Sequence, residues 1–97
     1  MYALVLIRYR APIDVIEANT EAHRAWLRSL KAAGTLVASG PFVPRTGGAL
    51  VLRVPDDDAA AALDAARDGD PFHKLGLANY ELLQWNPVIG RDGLDAI

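Results

Sequence analysis

One histidine in the sequence has a position that suits proton transfer. His23 lies in a segment whose apolar residues recur every three or four positions, and its neighbours at those spacings include Trp26 and Leu27. We therefore expect the imidazole to face the sheet rather than solvent. Imidazole titrates near neutral pH, so a partly buried histidine can act as a general acid or base. A structural histidine with one satisfied hydrogen bond is the alternative interpretation.

An aspartate at the start of a short helix is the second candidate. Asp70 precedes Pro71, a residue that suits the first turn of a helix, so its carboxylate would ordinarily cap the helix amides. The same carboxylate could instead orient and charge the imidazole of His23, as carboxylates do in other acid–base sites. The sequence does not show a contact between the two residues, so both interpretations stay open.

Five further residues could bind a ligand. Ser39, Gly40 and Pro41 close a predicted strand, where a hydroxyl and a glycine would let a ligand approach the backbone closely. Phe42 would add apolar lining, and Arg8 interrupts an apolar strand and could bind an anion. The alternative for residues 39–42 is an ordinary strand end without a ligand. The alternative for Arg8 is a side chain at the sheet edge that keeps its charge in water.

Metal and cofactor sites find little support in the sequence. His73 could join His23 and Asp70 as a third metal ligand, but no HExxH or similar pattern is present. Two histidines and one acid are also few ligands for a metal site. The turn that contains Arg45 lacks the spacing of a phosphate loop, so Arg45 is only a weak ligand candidate. We expect neither a metal nor a cofactor.

The apolar pattern predicts the element order β-α-β-β-α-β. The predicted strands cover residues 2–9, 35–42, 49–54 and 79–85, and the predicted helices cover about 14–33 and 55–67, with a short extra helix from Pro71. This order is that of the ferredoxin-like α+β fold, a four-stranded antiparallel sheet with both helices on one face.

The first helix carries three local signals. Asp14 followed by Glu17 resembles a capping box, which would start the helix there. The pair Asn19-Thr20 could kink or restart the helix. Gly34 occupies the position just after the predicted end, where glycine is common.

The strands are apolar on both faces, although the predicted helices cover only one. A strand with two apolar faces is expected to be covered on both. A second copy of the chain is the simplest cover, so we expect a homodimer through the open sheet face. The composition agrees, since 52% hydrophobic residues is slightly above the soluble average of about 45–50%.

Length and composition exclude several classes. Ninety-seven residues predict one domain spanning 1–97, with a core over 1–87 and a tail over 88–97. A net charge of −2 argues against non-specific nucleic-acid binding, and the lack of cysteine excludes disulfides and thiolate chemistry. No apolar stretch approaches the roughly 20 residues of a membrane helix, and no signal peptide is recognisable, so a cytoplasmic protein is expected.

The motifs together resemble the YciI-like (YCII-related) family, over nearly the whole chain to about Pro87. The segments that carry the resemblance are residues 2–9, 21–27, 33–36, 39–41, 47–48, 70–72 and 80–82. The resemblance implies a dimeric α+β barrel of ferredoxin-like subunits, similar to muconolactone isomerases. It also implies an active-site pair at His23 and Asp70, with a pocket lined by Ser-Gly-Pro at 39–41. One branch of the family resembles a dehydrochlorinase that acts on a chlorinated hydroxyhydroquinone.

Two functions remain open at this point. In the first, His23 with Asp70 performs cofactor-independent acid–base chemistry, an elimination, isomerisation or lyase-type reaction on a small cyclic or enolisable molecule. In the second, the chain is a non-catalytic binding or accessory module that takes a small molecule. A hydrogen bond between the two side chains in a cavity would favour the enzyme, and a separation beyond about 6 Å would favour the module.

Overall fold

A computed structural model describes residues 1–97. Its elements in chain order are β1 (Tyr2–Tyr9), α1 (Ile13–Ala32), β2 (Leu36–Pro41), β3 (Gly47–Arg53), α2 (Ala59–Asp68), α3 (Pro71–Lys74), β4 (Ala78–Trp85) and α4 (Arg91–Asp95). The predicted β-α-β-β-α-β order is confirmed, with α3 inserted before the last strand. The sequence interpretation gave the C-terminal tail no helix, and α4 lies within it.

The four strands form one antiparallel sheet in the order β2-β3-β1-β4. β1 is central and pairs Val5 with Leu50 on one side and with Leu82 on the other. Because side chains alternate along a strand, this register puts the three apolar side chains on the same face. The ferredoxin-like α+β fold is thereby confirmed.

The core lies between this face and the helices. Ile16 of α1 and Leu63 of α2 are buried in one cluster with Val5 and Leu52 of the sheet, so both helices cover the same face. Each buried side chain of this size contributes roughly 1.5–3 kcal/mol by leaving water. The cluster comprises Ala3, Val5, Ile7, Ile16, Leu36, Leu50, Leu52, Val54, Ala59, Leu63, Phe72 and Ala78.

The start of α1 differs from the prediction. Pro12 rather than Asp14 is the residue before the first helical position, and no side chain caps the helix, so the predicted capping box is wrong. The carbonyl of Pro12 already accepts the N–H groups of Val15 and Ile16, which begins the helix earlier. Asp14 therefore lies in the first turn, where its charge favours the helix dipole.

The rest of α1 is continuous. Thr20 does not restart it, because its hydroxyl donates to the carbonyl of Ile16 at 2.7 Å, within the helix. The predicted end is confirmed: Gly34 has a φ of +79°, and its N–H donates to the Lys31 carbonyl while that of Thr35 donates to Leu30. This Schellman pattern satisfies carbonyls at the helix end.

The opposite face of the sheet has no helical layer over most of its area. Leu83 and Trp85 are 39% and 36% exposed there. Only one end is covered, where the C-terminal segment meets Tyr2 and Arg53: the Tyr2 hydroxyl donates to Asp95 at 2.6 Å, and Arg53 donates to the Leu94 carbonyl at 2.6 Å. None of the helices combines the length and the apolar character needed to cross a membrane.

Candidate acid–base site

His23 lies on the side of α1 that faces α3. Its ring stacks on Phe72 with 4.2 Å between centroids and 7° between planes, and it lies 5.4 Å from the ring of Trp26. Only 14% of the side chain is exposed. The helical spacing predicted this inward orientation, and the stack on Phe72 fixes the plane of the imidazole.

Asp70 lies beneath this histidine and is fully buried. Its Oδ1 accepts the Phe72 N–H at 3.0 Å, which caps α3, and it also contacts Nδ1 of His23 at 2.8 Å. The Tyr80 hydroxyl donates to Oδ2. One carboxylate therefore caps a helix and contacts the imidazole at the same time, so the two interpretations of Asp70 are compatible.

The hydrogen bonds assign the tautomer of His23. A carboxylate only accepts hydrogen bonds, so Nδ1 carries the proton when the ring is neutral. Nε2 then holds the free lone pair, and it makes no hydrogen bond within the chain. Since no buried side-chain nitrogen lacks a partner, Nε2 is open to solvent or ligand.

Tyr80 supports the carboxylate from β4. Burial of the hydroxyl, together with its hydrogen bond to the negative Asp70, raises the pKa of Tyr80 well above its usual range. The phenol therefore stays protonated and acts as a neutral donor to Asp70. Tyr80 lies in the 80–82 segment of the family resemblance but was given no role at the site. Its position opposite Ile7 on the helix-covered face follows from the strand register.

A cavity of about 390 Å³ opens beside His23, between α1 and the β2–β3 half of the sheet. Ser39, Gly40 and Pro41 border it, where the sequence predicted pocket residues. Gly48 lies on its floor, and a Cβ at that position would stand 2.7 Å from the Gly40 carbonyl oxygen, so only glycine lets the two strands approach this closely. The volume suits a single small molecule.

Phe42 and Arg8, the other two predicted ligand residues, do not border this cavity. Arg8 follows Ile7 in β1, and because strand side chains alternate it points to the open face. Its guanidinium carbon lies 5.8 Å from the centre of the Phe42 ring. Ligand binding by these two residues stays a prediction.

Four polar residues border the cavity that the sequence interpretation missed or ranked low. They are Tyr9, Thr20, Arg24 and Arg45. Thr20 precedes His23 by three positions, and Arg24 follows Thr20 by four, so helical spacing alone could have found this pair. Arg45 comes from the β2–β3 turn, and sequence spacing does not predict where such a turn folds.

His73 does not join the other candidates. Its Nε2 lies 3.5 Å from a carboxylate oxygen of Asp68, and its ring meets Tyr80 edge-on at 5.4 Å. No three histidine, cysteine or acidic side chains come close enough to hold a metal ion. The ligand set considered from the sequence is therefore not assembled.

Comparisons with known proteins agree with this architecture. A solved structure of 5-chloro-2-hydroxyhydroquinone dehydrochlorinase from Burkholderia phenoliruptrix, in complex with 2,5-dihydroxybenzoquinone, is similar with a TM-score of 0.75 and 25% identity, over 89% of this chain and 94% of that one. No match was found among curated proteins. The family model for the YCII-related domain matches residues 1–86. The chain therefore belongs to the YCII-related family.

Proposed function

We propose that this protein is a cofactor-independent acid–base enzyme that acts on a small cyclic or enolisable molecule by elimination or isomerisation. The observation that carries the proposal is the bond from His23 to the buried Asp70, which leaves Nε2 free beside a cavity. The similarity to a dehydrochlorinase supports a lyase-type elimination on a ring compound.

In the proposed step, Nε2 of His23 removes a hydroxyl proton from the bound ring compound. In an elimination, the ring first takes its keto form, in which the chlorine-bearing carbon has gained a proton and is tetrahedral. When His23 then removes a proton from a remaining hydroxyl, that oxygen forms a carbonyl, the ring double bond shifts to the chlorine-bearing carbon and chloride leaves, so the substrate loses HCl and needs no oxidant. In an isomerisation, the imidazolium returns the proton to another atom of the same molecule. The negative charge of Asp70 stabilises the imidazolium, and general acid–base catalysis of this kind is worth typically 10²- to 10⁴-fold.

A non-catalytic binding module is the second candidate, and one observation favours it. Asp70 already caps α3 and accepts from Tyr80, so its burial has a structural explanation without catalysis. The two candidates differ in what loss of His23 does. If the chain is only a binding module, loss of His23 leaves ligand binding weaker or unchanged, and neither the wild type nor any variant turns over substrate.

The proposed activity is tested by measuring the release of chloride from 5-chloro-2-hydroxyhydroquinone under anaerobic conditions. We expect His23→Gln to lower the rate by about 10²- to 10⁴-fold. His73→Gln is the matched control, because the second histidine lies outside the cavity and is expected to leave the rate unchanged. Equal rates in wild type and His23→Gln would refute the mechanism.

We also propose that a second copy of the chain covers the open sheet face, as the family resemblance implies. The exposed Leu83 and Trp85 support this, since a contiguous apolar face is costly in water. The proposed catalytic pair lies on the other face and is complete within one chain.

A further inference from the structure

The mouth of the cavity is positively charged. Arg24 and Arg45 both border it beside His23, and no aspartate or glutamate is among its lining residues. The chain as a whole has a net charge of −2, so the lining of the cavity has the opposite sign of charge to the whole protein. A concave site lined by one sign of charge concentrates ligands of the opposite sign.

Arg45 is held in place by neutral partners. Its Nη2 donates to the Thr20 hydroxyl at 3.1 Å, and its Nε donates to the Tyr9 hydroxyl at 3.4 Å. The guanidinium carbon also lies 5.9 Å from the centre of the Tyr9 ring. These contacts orient the planar group and leave its other N–H donors without a protein acceptor.

The nearest exposed acids lie outside the cavity, in an outer groove that Arg24 and Arg45 also border. Neither Arg24 nor Arg45 forms an ion pair. Glu17 and Glu21 border the adjoining outer groove, and Glu21 is paired with Arg28 at 2.7 Å, which holds the pKa of that carboxyl below its usual value. Asp70, the acid closest to His23, is fully buried and does not line the cavity.

We infer that the cavity binds a small single-ring organic anion, whose carboxylate, phenolate or enolate oxygen lies against Arg45 and Arg24. The guanidinium group suits such oxygens because it presents parallel N–H donors in one plane. The effect of this binding on catalysis rests on the proposed function. When His23 removes a proton from the bound ring compound, negative charge develops on an oxygen that the arginines hold, and they stabilise that charge.

Binding of 2,5-dihydroxybenzoquinone, an acidic enol that is anionic at neutral pH, tests the assignment by calorimetry. We expect Arg45→Gln to weaken binding at least about tenfold, and Arg45→Lys to restore part of the loss because it keeps the charge without the planar fork. Arg10→Gln is the matched control, since Arg10 is exposed and outside the cavity. The neutral 2,5-dimethoxybenzoquinone is expected to bind at least about tenfold more weakly than the anion.

The outcomes separate this assignment from the proposed chemistry. Equal affinities of Arg45→Gln and Arg10→Gln, equal affinities of the anionic and neutral quinones, or no measurable binding by the wild type would each overturn the anion site. His23→Gln is expected to bind the anion within about threefold of the wild type. A variant at His23 that binds normally and still turns over substrate would overturn the chemistry and leave the anion site standing.

Discussion

The two faces of the sheet are built from the same strands but have different surroundings. On one face, α1, α2 and α3 bury the apolar side chains and enclose Asp70, whose buried polar contacts are all satisfied. On the other face, Leu83 and Trp85 remain partly exposed, and only the C-terminal segment covers an end. The covered face positions polar groups precisely, whereas we propose that the open face associates with a second copy of the chain.

The largest expected contrast between the faces is in stability. Ile16→Ala removes a fully buried side chain under the helices, and we expect a loss of about 2–5 kcal/mol in the free energy of unfolding. Leu83→Ala on the open face is expected to cost under about 1 kcal/mol in the isolated chain. Urea unfolding at several protein concentrations, extrapolated to low concentration, measures both, and equal losses would contradict the contrast.

Asp70→Ala is expected to cost about 2–4 kcal/mol. The substitution removes the cap of α3 and deprives the Phe72 N–H and the Tyr80 hydroxyl of their acceptor. Asp70→Asn keeps an acceptor oxygen and is the matched control, with less than half of that loss. Urea unfolding of the two variants measures the difference, and an alanine variant as stable as wild type would show that the carboxylate does not support this region.

The open face is expected to govern association. Sedimentation should give a wild-type particle of twice 10.4 kDa, and Leu83→Arg should weaken self-association at least about thirtyfold, because it introduces a charge into an apolar contact. Val88→Arg is the control, since Val88 is 74% exposed and lies beyond the sheet. A monomeric wild type, or the same dissociation constant in both variants, would remove the assigned role of this face.

The smallest effect concerns alkaline pH. Because folding raises the pKa of Tyr80, its contribution is complete below the unfolded value of about 10 and is lost as pH rises above it, where the unfolded chain releases a proton that the folded chain keeps. We expect wild type to lose about 1 kcal/mol more than Tyr80→Phe between pH 10 and 11. Urea unfolding at the two pH values measures this difference. Equal losses of stability in wild type and Tyr80→Phe would contradict the role of Tyr80 as a buried hydrogen-bond donor.

Much of the covered face could be predicted from the sequence. Periodicity and the Asp-Pro start of α3 identified His23 and Asp70, because helix faces and caps are local properties. The capping-box pattern at Asp14 predicted the wrong start of α1, because the helix already begins after Pro12. Tyr80 and Arg45 could not be found in the same way, since their contacts depend on strand register and on the fold of a turn.

Solvent deuterium exchange measures whether His23 transfers protons to and from a bound ring compound. Incubation of 5-chloro-2-hydroxyhydroquinone or 2,5-dihydroxybenzoquinone in D₂O, followed by NMR, reports the transfer of deuterium to ring carbons during reversible keto–enol interconversion, even where no product accumulates. We expect wild type and His73→Gln to speed deuterium entry by at least about 10²-fold over His23→Gln. Equal exchange in wild type and His23→Gln, at the rate of solvent alone, would contradict it.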